Sequence, residues 1–165
     1  MFNLNDIVVN KKGQVCKITD ITKMDVGVGV KDYFVLEPCY DKNNSLKFYI
    51  PIENSNYLRK ALGREEIEDI ISRLSEIKPI WFQNPKLRRV QFKELYDSGD
   101  PINILILIKS FEVKRKEFLN DKKSLSFTDE NFLKEIKRNL FIEFSLGLNL
   151  PYNDVETILA ENLNI

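Results

Sequence analysis

The sequence contains no histidine in 165 residues, and that absence removes whole classes of chemistry. Nucleophile arrangements that need an imidazole base, and metal sites ligated by imidazole, are excluded. There are only two cysteines, Cys16 and Cys39, and neither has a neighbour at metal-ligand spacing, so a reduced, cytoplasmic setting is expected and no cofactor is implied. No apolar run approaches the length of a membrane helix. Met1-Phe-Asn-Leu-Asn-Asp lacks the basic start and apolar stretch of a secretory signal, which points the same way. Net charge is also missing: 25 basic residues balance 25 acidic ones. This argues against a protein that coats nucleic acid through bulk electrostatics and leaves room for a local basic patch. Six glycines supply only one short motif, Gly27-Val-Gly-Val30. It has neither the third glycine of a dinucleotide fingerprint nor the lysine and hydroxyl residue of a phosphate loop, and a hairpin turn accounts for it better.

What is present divides into two halves. Residues 1 to 58 read as strands: Ile7-Val-Val9, Val15-Cys-Lys-Ile18 continuing to Ile21, Tyr33-Phe-Val-Leu36 and Leu46-Lys-Phe-Tyr-Ile50. These short apolar or alternating runs are rich in β-branched and aromatic residues. Asn10-Lys-Lys-Gly13, residues 27 to 32 and Asp41-Lys-Asn-Asn-Ser45 separate them as turns. Four or five strands in so short a stretch predict a small, strongly bent antiparallel barrel of the SH3 or Tudor kind. A module of that size leaves a strand edge, which either pairs with a partner's strand or lies under its own chain.

Residues 59 to 165 read as helices, giving an α+β chain with an all-helical second domain. Ile67, Ile70, Ile71, Leu74 and Ile77 share one helical face between residues 64 and 78. Glu65, Glu66, Glu68 and Asp69 occupy the first turns of that helix, where they complement its dipole rather than form a catalytic pair. Asn84-Pro85 and Asp100-Pro101 each read as a cap followed by a first-turn proline, and Gly99 reads as a stop between them. The run Ile104-Leu-Ile-Leu-Ile108 is helical rather than a buried strand, because Phe111 and Phe118 continue its spacing. Ser126-Phe-Thr-Asp129 is a capping box opening a helix with Leu133, Ile136, Leu140 and Phe144 inward, expected to end at Gly147. A last helix after Pro151 carries Val155, Ile158 and Leu159. Short links predict a compact bundle around one core.

The only tryptophan, Trp81, follows Pro79 in a short connection expected to be exposed, and Lys86, Arg88, Arg89 and Lys93 follow on the next helix. Two readings are open. Either Trp81 caps the helical core, or it is a wedge for a nucleic-acid groove, with bases holding the backbone as in architectural minor-groove binders. A second basic cluster, Lys109, Lys114, Arg115 and Lys116 with Lys122 and Lys123, either complements a helix C-terminus or frames the same backbone.

Taken in order, these stretches resemble the CarD family of bacterial transcription regulators. The likeness runs through Phe2-Asn-Leu-Asn-Asp-Ile-Val-Val9, the strands to Tyr49-Ile-Pro-Ile-Glu-Asn54, the tryptophan loop, Ser98-Gly-Asp100, Ile108-Lys-Ser-Phe111 with Lys114-Arg-Lys116, and Glu143-Phe-Ser-Leu146. The first module is also similar to the polymerase-interacting domain of the transcription-repair coupling factor. Asn5 stands where the family carries a glycine, and Tyr49 where some members carry an arginine. The resemblance implies a non-enzymatic, monomeric protein. Its β module docks on the lobe of the RNA polymerase β subunit, and its helices reach promoter DNA at the upstream edge of the bubble with little sequence readout. A tryptophan there hinders bubble collapse. Carried over, Trp81 is the wedge, and Lys86, Arg88, Arg89, Lys93, Lys114 and Arg115 are the DNA contacts. Lys47, Phe48, Tyr49, Ile50 and Pro51, with Lys23 on the preceding hairpin, form the polymerase-facing edge. From a different class comes an adaptor whose β module binds another protein and whose helices only complete the fold.

Overall fold

Five strands in the first sixty residues and helices beyond them give an α+β chain, seen in a computed structural model that describes residues 1 to 40 and 46 to 165. The turn expected over residues 41 to 45 lies outside the described residues. The chain divides into two units, Met1–Ala61 and Leu62–Ile165.

The first unit is a five-stranded antiparallel sheet: β1 (Ile7–Asn10), β2 (Val15–Asp25), β3 (Val30–Pro38), β4 (Phe48–Pro51) and β5 (Leu58–Lys60), in the order β4-β3-β2-β1-β5. A 3-10 turn, Ile52–Tyr57, joins β4 to β5. Strand β5 carries the sheet past residue 58, because Leu58, Arg59 and Lys60 pair with Asn10, Val9 and Val8. Three residues are too few for a periodic signal, so residues 59 and 60 read as helical in sequence yet form a strand.

Ile18 and Ile21 are three apart, which no regular strand can place on one face. A bulge resolves the conflict: Ile18 pairs with Leu36 and Asp20 with Val35, leaving Thr19 as the extra residue. Ile21 then lies opposite Phe34, and the bulge bends the strand. Val8, Cys16, Ile18, Phe34, Leu36 and Leu58 form the core of the unit, with Phe2, Phe48, Ile50 and Ile52 partly buried against it. The valine-glycine stretch is the β2–β3 turn, where Gly27 and Gly29 take φ of 89° and 97°. Among the described residues β4 and β5 lie at opposite edges and do not pair, so the sheet is open rather than the closed barrel expected. Its outer strands have only three or four residues, and the long ladder is confined to β2 and β3.

The second unit contains α1 (Arg64–Ser72), α2 (Pro85–Asp97), α3 (Pro101–Asn120), α4 (Phe127–Leu148) and α5 (Tyr152–Leu163). Helix α3 is buried on several sides through Ile104, Leu105, Leu107, Ile108 and Phe111, as a central helix must be. The helix expected over residues 64 to 78 stops at Ser72 and continues as a 3-10 turn, Leu74–Glu76. The i, i+3 step from Leu74 to Ile77 keeps both on one face at three residues per turn.

Gly147 does not end α4. The helix runs to Leu148 and is closed by Asn149 at φ 53°. Gly147 is instead a packing position: a Cβ there would lie 2.3 Å from Ile67 Cδ1 and 2.7 Å from the Leu62 carbonyl oxygen. Among the described residues no helix is long and apolar enough to cross a membrane.

Candidate functional site

The stretch from Ile77 to Asn84 has no regular structure, so its backbone polar groups need other partners. Three come from neighbouring helices. Lys109 Nζ donates to Ile77 O (2.8 Å), Ile80 N donates to Ser110 Oγ (2.9 Å), and Arg88 Nη1 donates to Phe82 O (3.0 Å). At the end of the stretch the Asn84 side chain caps α2, accepting from Lys86 N at 2.9 Å and Leu87 N at 3.2 Å.

These bonds fix Trp81 as a half-buried residue packed on the helical core rather than an exposed one. Its ring meets Phe92, Phe111 and Phe118 edge to face, at centroid distances of 5.9, 5.8 and 6.4 Å. Such pairs are favoured because the positive edge of one ring faces the negative face of another. Two cations also address the indole: the Arg88 guanidinium carbon lies 4.4 Å from its ring centroid and Lys114 Nζ 5.6 Å.

Arg88, expected on the surface, is only 8% exposed, and Asp129 is 6% exposed. Arg88 Nη2 bonds Asp129 Oδ2 at 3.0 Å. Helical periodicity explains the burial, since Arg88 precedes the buried Phe92 by four residues and shares its face. Asp129 also explains a departure from the expected capping box. Ser126 Oγ accepts from Asp129 N at 3.1 Å, but the Asp129 carboxylate bonds Arg88 instead of returning to the cap.

The remaining expected DNA contacts separate into two groups. Lys93 is paired with Asp97, and Lys114 with Glu117 at 2.8 Å. Arg115 is held by Glu130 at 2.5 Å and Glu112 at 3.0 Å, and its pKa is pushed up, first by the Glu130 hydrogen bond. Lys86 and Arg89 are exposed, and among the described residues no carboxylate pairs with them. Of the expected set, the structure thus gathers Trp81, Arg88 and Lys114 into one cluster, leaves Lys86 and Arg89 bare on the outer face of α2, and engages Arg115 in a separate acidic network with Lys137. Asp129, Ser110 and Lys109, which hold the tryptophan stretch, went unassigned to it from sequence. Asp129 stood out only as a capping residue.

In the first unit, β4 is an edge strand whose described partner is β3 alone. Phe48 and Ile50 turn toward the core while Tyr49 is 48% exposed. Pro51 ends the strand opposite Tyr33. Lys47 bonds Glu37 at 3.2 Å, while Lys23 lies on β2 opposite Asp32, with β3 between it and the edge. Among the described residues the edge therefore offers a strand side with no paired neighbour, one exposed tyrosine and a cation that is already partnered. Both cysteines are free, and burial pushes the Cys16 thiol up to about 12. Compared with known protein families and with curated protein sequences, the chain matches none.

Proposed function

We propose that this chain is a non-enzymatic, monomeric regulator of transcription initiation in the cytoplasm, of the CarD kind. In this reading the open sheet is a Tudor-like module whose β4 edge, from Lys47 to Pro51, adds to a strand on the RNA polymerase β-subunit lobe, with Lys23 set back on β2 behind β3. The helical unit then contacts promoter DNA at the upstream edge of the bubble and stabilises the open complex, with Trp81 as the apolar element and Lys86 and Arg89 against phosphates. The observation that carries the reading is Trp81 itself: a single tryptophan, half-buried in a fixed setting, on a stretch that leads directly into a helix with two bare cations. Zero net charge agrees with a tethered mode, in which polymerase binding supplies the effective concentration that bulk electrostatics does not. Asn5 adds independent support. It takes φ of 71°, the conformation glycine adopts most readily, at the position where the resemblance implies glycine.

The test is the lifetime of open promoter complexes formed with purified RNA polymerase. Trp81→Ala is expected to shorten it more than Phe82→Ala does. Equal effects from the two variants would remove the wedge from the reading.

A second reading has a specific observation in its favour. Arg88, Lys93, Lys114 and Arg115 are all bonded to carboxylates, so four of the seven expected DNA residues are already engaged. These engaged cations support the reading of an adaptor that binds a protein through β4 and makes no DNA contact. The adaptor reading requires that Lys86→Gln with Arg89→Gln leave function unchanged, whereas direct DNA contact requires a loss.

A further inference from the structure

We infer that Arg88 is the positioning residue of Trp81, anchored for that purpose by Asp129 on another helix. Two nitrogens of the guanidinium donate to fixed acceptors, Nη2 to the Asp129 carboxylate and Nη1 to the Phe82 carbonyl, each at 3.0 Å, while its buried Nε has no partner among the described residues. Its planar body is thereby held 4.4 Å from the centroid of the indole. Phe82 directly follows Trp81, so the same side chain clamps the backbone beside the tryptophan and covers the ring.

A planar, rigid donor fork does this in a way that a lysine cannot, because an ammonium offers no flat surface to stack and no fixed separation of donors. Asp129 lies at the third position of α4, next to the Ser126 cap, so its own placement is set by the helix start. The chain of constraint runs from the α4 cap to Asp129, from Asp129 to Arg88, and from Arg88 to the pose of Trp81. Trp81 consequently meets whatever it binds as a preset surface and not as a side chain that must first be ordered.

The effect on transcription rests on the reading of Trp81 given above, but the positioning itself is tested optically. Trp81 is the sole tryptophan, so all indole fluorescence of the full-length chain reports on it. Arg88→Lys and Asp129→Asn are compared with the unaltered chain by acrylamide quenching and fluorescence anisotropy, with far-UV circular dichroism establishing that each is folded. Arg88→Lys keeps the charge beside Asp129 and is the variant best able to fold. The expected result is a roughly twofold or greater rise in the quenching constant and lower anisotropy in both variants at native secondary structure, as the loss of one rigid, desolvated cation contact implies. A merely structural ion pair would change unfolding and leave the native optical signal alone. Unchanged quenching and anisotropy in folded Arg88→Lys and Asp129→Asn overturn the inference.

Open-complex lifetimes separate the two claims. If positioning serves the wedge, Arg88→Lys shortens the lifetime in the Trp81 protein and adds nothing in a Trp81→Ala background. An Arg88→Lys effect of equal size in both backgrounds overturns the functional half of the inference. If Trp81→Ala alone has no effect, the wedge reading fails, while the optical result still decides whether Arg88 positions Trp81.

Discussion

Replacing Gly147 with alanine sets two opposite physical effects against each other, and the structure decides between them. Gly147 lies within α4, and removing a glycine from a helix interior is worth about 1 kcal/mol of stabilisation from propensity. Against this stands the space a methyl group requires. The Ile67 Cδ1 atom, 2.3 Å from the new Cβ, ends a side chain that can rotate, but the Leu62 carbonyl oxygen at 2.7 Å is backbone. That backbone cannot move freely. Leu62 N donates to the buried Glu143 carboxylate at 2.9 Å, and Arg64 Nη2 donates to Leu148 O, so the chain is tied to α4 on both sides of Gly147. Overpacking of this kind costs about 1 to 3 kcal/mol, and weakening a hydrogen bond to a buried carboxylate costs about 1 to 3 kcal/mol more. The clash therefore wins, and Gly147→Ala is expected to destabilise the helical unit by roughly 3 kcal/mol net. Urea unfolding followed by far-UV circular dichroism measures this as a lower midpoint with an unchanged slope. A midpoint equal to or above that of the unaltered chain would show that the Leu62 backbone yields at no cost, and would refute the packing argument.

Two other perturbations follow from single residues. Asn84→Ala removes the cap that accepts from Lys86 N and Leu87 N, and is expected to cost about 1 kcal/mol, read from the same urea transition. Cys16 links stability to alkaline pH. Its thiol is raised from 9.0 to about 12 in the fold, so the unfolded chain sheds the proton first. Stability is then full below pH 9 and falls as pH rises toward 12, by at most about 1.4 kcal/mol per pH unit for this one proton. Cys39 and Tyr96 are also raised by burial and steepen the same decline, so the measurement is the difference in slope between the unaltered chain and Cys16→Ala. Identical slopes would show that Cys16 does not hold its proton in the fold.

The parts of the fold legible in sequence are those written in local patterns. Asn84 and Asp100 before their prolines, and Ser126 before Asp129, each accept the backbone hydrogen bonds expected of caps, and residues 104 to 108 are helical as Phe111 and Phe118 implied. Closure of the sheet, the three-residue strand β5 and the packing role of Gly147 were not legible, because each depends on partners distant in sequence. Arg88 shows the same limit at the candidate site. In sequence it is one of four bases after a tryptophan, and only its position four residues before Phe92 hints that it points inward. Its partner, Asp129, is 41 residues away. A count of positive charges therefore overstates the surface that α2 presents: the helix exposes Lys86 and Arg89 bare and Lys93 paired, and turns Arg88 inward to the tryptophan. Any encounter with a polyanion begins with two unpaired cations on α2. On the proposed function, affinity then comes from the polymerase tether, and a fixed Trp81 contributes by costing no side-chain order on contact.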